Sequence, residues 1–210
     1  MKMSKRTTER KRPYRQGVRA QAAAQTPRRI IAAFVAGLQN SWFEEITLDE
    51  VAANSGLTVQ TVIRQFGSKE GLLVAAAAAL GEQIREARGN PVGDLRGAVR
   101  AVVHDYEVTG DMVMRLLAQE RLPAIHTVLD IGRAGHRKWL GRVFAPWLER
   151  LPRAARGRRH AALVVLTDVY TWKLLRRDRK FGRDAVVTLI IDMISALNGP
   201  LGTASDAMTQ

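Results

Sequence analysis

From Thr58 to Phe66 the chain reads TVQTVIRQF, and its hydrogen-bonding side chains share one side of a helix drawn through it. Gln60, Thr61, Arg64 and Gln65 point outward, with no acid among them, while Val59, Val62, Ile63 and Phe66 point inward. Amide, hydroxyl and guanidinium groups so arranged can meet base edges in the major groove of DNA, where Arg pairs with guanine and Gln with adenine. An ordinary helical hairpin shows the same spacing, so the elements around the stretch must separate the two readings.

Those elements begin at Thr47. It has the chemistry of an N-cap, and Glu50 three residues on completes a capping box. Leu48, Val51 and Ala52 follow on one face, and Gly56 supplies the residue without a Cβ that a sharp helix stop requires. Thr58 caps the next helix. The pattern is a helix-turn-helix whose second helix reads, with Thr47 and Thr58 as candidates for DNA phosphates. Upstream, Thr26 followed by Pro27 predicts the start of a first helix with Ile30, Ile31, Phe34, Val35 and Leu38 inward, and Trp42, Phe43 and Ile46 plug the loop after it. Downstream, Ser68 caps a fourth helix over about Lys69 to Arg88. Lys69 in its first turn is either a phosphate contact or a plain surface lysine.

The stretch from Arg29 to Leu73 resembles the N-terminal part of the tetracycline-repressor (TetR) family of bacterial transcriptional regulators. Ala52, Gly56, Leu57, Thr58, Phe66, Ser68, Lys69, Glu70, Leu72 and Leu73 carry the resemblance, in the order TLDEVAANSGLT, then FGSKEGLL. The chain departs from the pattern at Ile63, where the family usually has a Tyr that touches a phosphate, and at Gln65, where an aromatic or His is usual. The resemblance implies an all-α, two-part protein. A three-helix helix-turn-helix DNA-binding head would join a helical ligand-binding and dimerisation body, about nine helices together. It also implies a DNA-backbone contact for Lys69, a homodimer on a palindromic double-stranded DNA operator, repression released by a small, partly apolar effector, and a four-helix bundle between the last two helices and their copies.

Charge and composition agree with a polyanion partner. The net charge is +13, and it is uneven: residues 1–29 hold ten Lys or Arg against one Glu, and the other 181 residues supply only +4. Residues 1–26 form a basic arm, expected to be disordered when free, that either follows DNA phosphates or merely solubilises the chain. A head at 27–80, a body at 81–200 and a loose tail at 201–210 complete the expected organisation. With no Cys and no paired His, no metal or cofactor site is expected, and no motif suggests an enzyme. The longest apolar run, Leu72 to Leu80, is half a membrane span, so a cytoplasmic location is expected.

The body is expected to be helical throughout. Thr109, Gly110 and Asp111 should end one helix and cap a short one, and Pro146 should bend a long helix running from Pro123 to about Leu151. Two long helices should follow, at about 152–177 and 182–197. Met112, Met114, Leu117, Trp139, Phe144 and Trp147 either line an adaptable apolar cavity or fill a plain core, with His104, His126 and His136 as possible polar handles. Leu189, Ile190, Met193, Ile194 and Leu197 form an apolar face on the last helix that either meets a second subunit or closes the monomer. The rival functions are a non-specific nucleic-acid coating protein and a helical enzyme or carrier.

Overall fold

The computed structural model describes the backbone of residues 12–198 and the side chains of residues 25–197; the outer part of the basic arm and the tail lie outside them. Every regular element among these residues is helical. In chain order they are α1 (Arg12–Asn40), α2 (Leu48–Ser55), α3 (Val59–Phe66), α4 (Lys69–Arg88), α5 (Leu95–Ala118), α6 (Pro123–Val143), the single turn α7 (Ala145–Leu148), α8 (Arg153–Leu166), α9 (Val169–Lys173), which runs into a π-turn at Leu174–Asp178, and α10 (Arg183–Asn198).

The first helix corrects the expected start at Pro27. Among the described residues it reaches back to Arg12 and carries Pro27 inside. Pro27 removes one backbone bond, but Gln21, three alanines and Gln25 just before it are strong helix formers and hold the helix across it. Ile30, Phe34 and Leu38 of α1 pack with Val51, Ala52, Val62, Leu72 and Leu73 into the head's core. Phe43 and Ile46 plug the loop as expected, whereas Trp42 stays 42% exposed. The head's apolar cluster continues into Met112 and Leu116 of α5 and Ile125, Val128 and Leu129 of α6, so head and body share side chains.

Three breaks in the body fall elsewhere than the sequence suggests. The Thr109–Asp111 segment does not stop α5, which runs unbroken through it, because the bare Gly110 receives the ring of Trp172. Pro146 does not bend a long helix; α6 ends at Val143 and α7 restarts with Pro146 near its own N-terminus, where the missing N–H costs nothing. The helix expected over 152–177 breaks at Thr167 and Asp168, where Asp168 caps α9 through the Tyr170 N–H. On α10, Ile190 and Ile194 are 2% and 0% exposed inside the monomer's own core, so neither is on a face open to a partner. Leu189, Met193 and Leu197 remain half-buried on its flank.

Candidate nucleic-acid interface and body cavity

The helix-turn-helix is built by local chemistry. Thr47 Oγ1 accepts the Glu50 N–H at 3.2 Å, and Glu50 accepts the Thr47 N–H at 3.0 Å, so the capping box closes in both directions. These bonds also hold the Glu50 carboxyl below its ordinary range. Gly56 ends α2 at φ 65, a left-handed conformation that suits glycine, and a Cβ there would stand 2.8 Å from Arg29 Nη2. That guanidinium donates to the Ser55 carbonyl at 2.6 Å and ties α1 to the end of α2. Thr58 then caps α3, accepting the Thr61 N–H at 3.3 Å.

On α3, Val62 is fully buried and Val59 and Phe66 pack on the head core, while Gln60, Arg64 and Gln65 are exposed and Thr61 is half-exposed. The outward face expected from the sequence is therefore assembled on one short helix. Ile63 is the exception. Expected inward, it is 46% exposed, because an eight-residue helix anchored through Val62 leaves that position on the rim, beside Gln60 and Arg64. The reading face thus carries a β-branched apolar group among its polar ones. Thr47 and Thr58 are both exposed, at the N-termini of their helices.

Lys69 has a different task from the one expected. Its Nζ donates to the carbonyls of Phe43 at 3.0 Å, Glu44 at 3.2 Å and Ile46 at 2.9 Å, and lies 4.6 Å from the Phe43 ring centroid. An ammonium has three N–H donors, and three carbonyls take them. Lys69 therefore anchors the loop between α1 and α2.

Beneath the head lies a cavity of about 400 Å³. Its wall draws on α1 (Val35, Leu38), α4 (Leu73, Ala76, Ala77, Leu80), α5, α6 and the start of α9. Met112, Leu117 and Trp139 line it as the sequence suggested. Met114, Phe144 and Trp147 do not: Phe144 is buried against Trp147, ring centroids 5.1 Å apart, and all three belong to or pack on the apolar core of the body. Of the candidate histidines only His136 reaches the cavity. His126 lies against Glu120 and Asp130, and His104 is exposed.

One wall is polar and was not read from the sequence. Arg88, the last residue of α4, gives Asp105 a hydrogen bond from Nε at 3.0 Å and a second from Nη2 to the same carboxylate oxygen, Oδ2. The hydroxyl of Thr109 lies 3.0 Å from the other oxygen. Arg88 Nη1 meets His136 Nδ1 at 3.0 Å, and His136 Nε2 meets Thr167 Oγ1 at 3.1 Å. Burial, then the charge of Arg88, push the His136 imidazole down to about 3, so the ring is neutral. Its Nδ1 accepts from Arg88 and its Nε2–H donates to Thr167, whose own hydroxyl donates to the Leu163 carbonyl at 2.7 Å. The available signal was Asp105 itself, a carboxylate among the inward positions Val102, Tyr106 and Thr109 of an apolar stripe.

α5 links this cavity to the head. Met112 and Leu116 face the cavity, and between them Arg115 donates to the carbonyls of Leu38, at 3.0 Å, and Gln39 at the end of α1. Gln119 accepts the Glu44 N–H at 3.3 Å, and Arg121 pairs with the Glu44 carboxylate at 3.1 Å.

Comparison with known proteins agrees with this geometry. Residues 43–76 match the family described as bacterial regulatory proteins, tetR family. The chain folds like a candidate transcriptional regulator from Pseudomonas aeruginosa PAO1, with TM-score 0.66 and 17% identity over 85% of this chain and 92% of that one. It is similar to a tetR-family transcriptional regulator from Streptomyces coelicolor, with TM-score 0.64 and 18% identity over 83% and 80%. NalD, the secondary repressor of the MexAB-OprM multidrug efflux pump in Pseudomonas aeruginosa, aligns with TM-score 0.50 and 19% identity over 83% and 96%. No curated protein matches the chain. Among the described residues, no helix is long and apolar enough to cross a membrane.

Proposed function

We propose that this chain is a DNA-binding transcriptional regulator of the TetR family, a reading its matched head supports, and that it acts as a homodimeric repressor that releases a palindromic operator when a small molecule fills the cavity. The observation that carries the reading is the exposed outer face of α3, with Gln60, Arg64 and Gln65 presented on a helix whose opposite side is locked by Val62. In this reading Gln60, Thr61, Arg64 and Gln65 meet base edges and Thr47 and Thr58 meet phosphates. The basic arm adds phosphate contacts and strengthens salt dependence. The half-buried flank of α10, with Leu189, Met193 and Leu197, meets its copy and sets two α3 helices on two half-sites. NalD, a repressor of similar fold, supports the sign of regulation.

Selecting bound fragments from genomic DNA in the presence of excess random duplex tests the reading. A specific regulator keeps a large preference for a small set of fragments. A basic coating protein, the rival, loses its bound fraction to the random competitor. On the selected operator, Arg64→Ala should weaken binding by roughly 1–3 kcal/mol, the scale of a good base contact. An unchanged affinity removes Arg64 from the reading set.

Ile63 contributes differently. It cannot hydrogen-bond a phosphate as the family's Tyr does, and an exposed β-branched side chain on a groove-facing helix suits the methyl group of thymine. Replacing each operator thymine in turn by deoxyuracil, which lacks only that methyl, should weaken binding at one position per half-site. The same replacement should have no effect on an Ile63→Ala variant. If no thymine position distinguishes the parent protein from that variant, Ile63 does not read the operator.

A further inference from the structure

Glycines inside the long helices α5 and α6 do different things. Gly110 on α5 is bare because Trp172 occupies its space; a Cβ there would stand 2.4 Å from the ring. Gly132 and Gly135 on α6 are exposed and line the cavity, and apart from chain neighbours and the helix's own backbone no protein atom lies within 4 Å of where either Cβ would be; Gly132 continues the stripe of Ile125, Leu129, His136 and Trp139. Glycine in mid-helix gives up order and contacts relative to any larger residue. Packing explains Gly110 but neither Gly132 nor Gly135. Their small size keeps the cavity open on the α6 side, and Ala76 and Ala77 of α4 line the cavity with small side chains too.

The polar wall narrows what can enter. Arg88 and Asp105 cancel in charge, both Asp105 oxygens already face donors, and His136 Nδ1 is engaged by Arg88. A carboxylate placed here would face Asp105, and an ammonium would face Arg88, and burying a charge without its own partner is strongly unfavourable. Four further charged groups line the cavity. Arg85 pairs with Glu82 and Arg133 with Glu120 and Asp130, half-buried Asp168 accepts the Tyr170 N–H at the start of α9, and Arg137 is exposed, so each of these charges is paired, bonded to a helix end or open to solvent.

We propose that the cavity takes an uncharged, chiefly apolar molecule seated against Gly132, with any polar atom it carries being a hydrogen-bond acceptor turned toward Arg88. A volume of about 400 Å³ suits a small-molecule site. This rests on the ligand-responsive half of the proposed function and specifies its effector class.

The test uses three probes of matched length on the full chain: methyl decanoate, decanoate and decylamine, titrated calorimetrically at neutral pH. The ester should bind at least about tenfold more tightly than either ion. Gly132→Leu should raise the melting temperature of the unliganded protein and cut the ester's affinity at least about tenfold, with Gly132→Ala between the two. The proposal is overturned if the ester does not bind, if either ion binds as tightly as the ester, or if Gly132→Leu binds the ester as well as the parent does. Operator selection without probes is scored separately, so failure here and failure of DNA reading remain distinct.

Discussion

Asp105→Ala is expected to lower the free energy of unfolding by about 3–5 kcal/mol, the largest single effect in the body's polar wall. The side chains of Arg88 and Asp105 are only 8% and 6% exposed, so the variant leaves a guanidinium buried beside Tyr106 and Trp139 with its charge uncompensated. The informative companion is the double variant Arg88→Met with Asp105→Leu. It removes both charges and keeps most of the volume, and pairs replaced this way are often neutral in stability. Denaturant unfolding should therefore place the double variant well above Asp105→Ala. If both unfold at the same midpoint, the pair matters through packing alone and the electrostatic account is wrong.

Trp172→Ala should cost a similar amount, about 3–5 kcal/mol, for a different reason. The indole is 1% exposed; it lies on bare Gly110, 6.0 Å from the Tyr106 ring, and donates from Nε1 to Glu107 at 3.0 Å, with the Arg177 guanidinium 4.5 Å from its centroid. Removing it opens a hole that a continuous α5 has little freedom to close. The converse change, Gly110→Ala, forces a methyl group into the ring and should cost about 1–3 kcal/mol. The two changes share one space, so combining Gly110→Ala with Trp172→Leu should cost less than the sum of the separate losses. Strict additivity would show that ring and glycine do not depend on each other.

What was legible in the sequence was local. The capping box at Thr47 and Glu50, the stop at Gly56, the Thr58 cap and the bounds of α4 follow from side chains acting on backbone within a few residues. What was not legible depends on partners far along the chain. Lys69 looks like a free surface cation until the carbonyls of Phe43, Glu44 and Ile46 are brought to it. The turn signal at Thr109–Asp111 is overridden by Trp172, more than sixty residues away. The inward reading of Ile63 fails because eight residues give too short a pattern to fix which rim position is covered. Ile190 and Ile194 belong to a clear apolar face, but periodicity cannot tell which partner buries that face, and here it is the same chain. The outward polar face of α3 was readable because its opposite side is anchored by one fully buried residue, Val62.

The grip of α5 on the head has a practical consequence for experiments in salt. Arg115 holds main-chain oxygens of Leu38 and Gln39, and Gln119 takes the Glu44 amide; only Arg121 with the Glu44 carboxylate joins two full charges, and that pair is exposed. Counterions weaken contacts to phosphates steeply but leave bonds to neutral carbonyls and amides almost untouched. Raising the ionic strength should therefore loosen the protein from its duplex while the joint between its two halves stays mechanically intact.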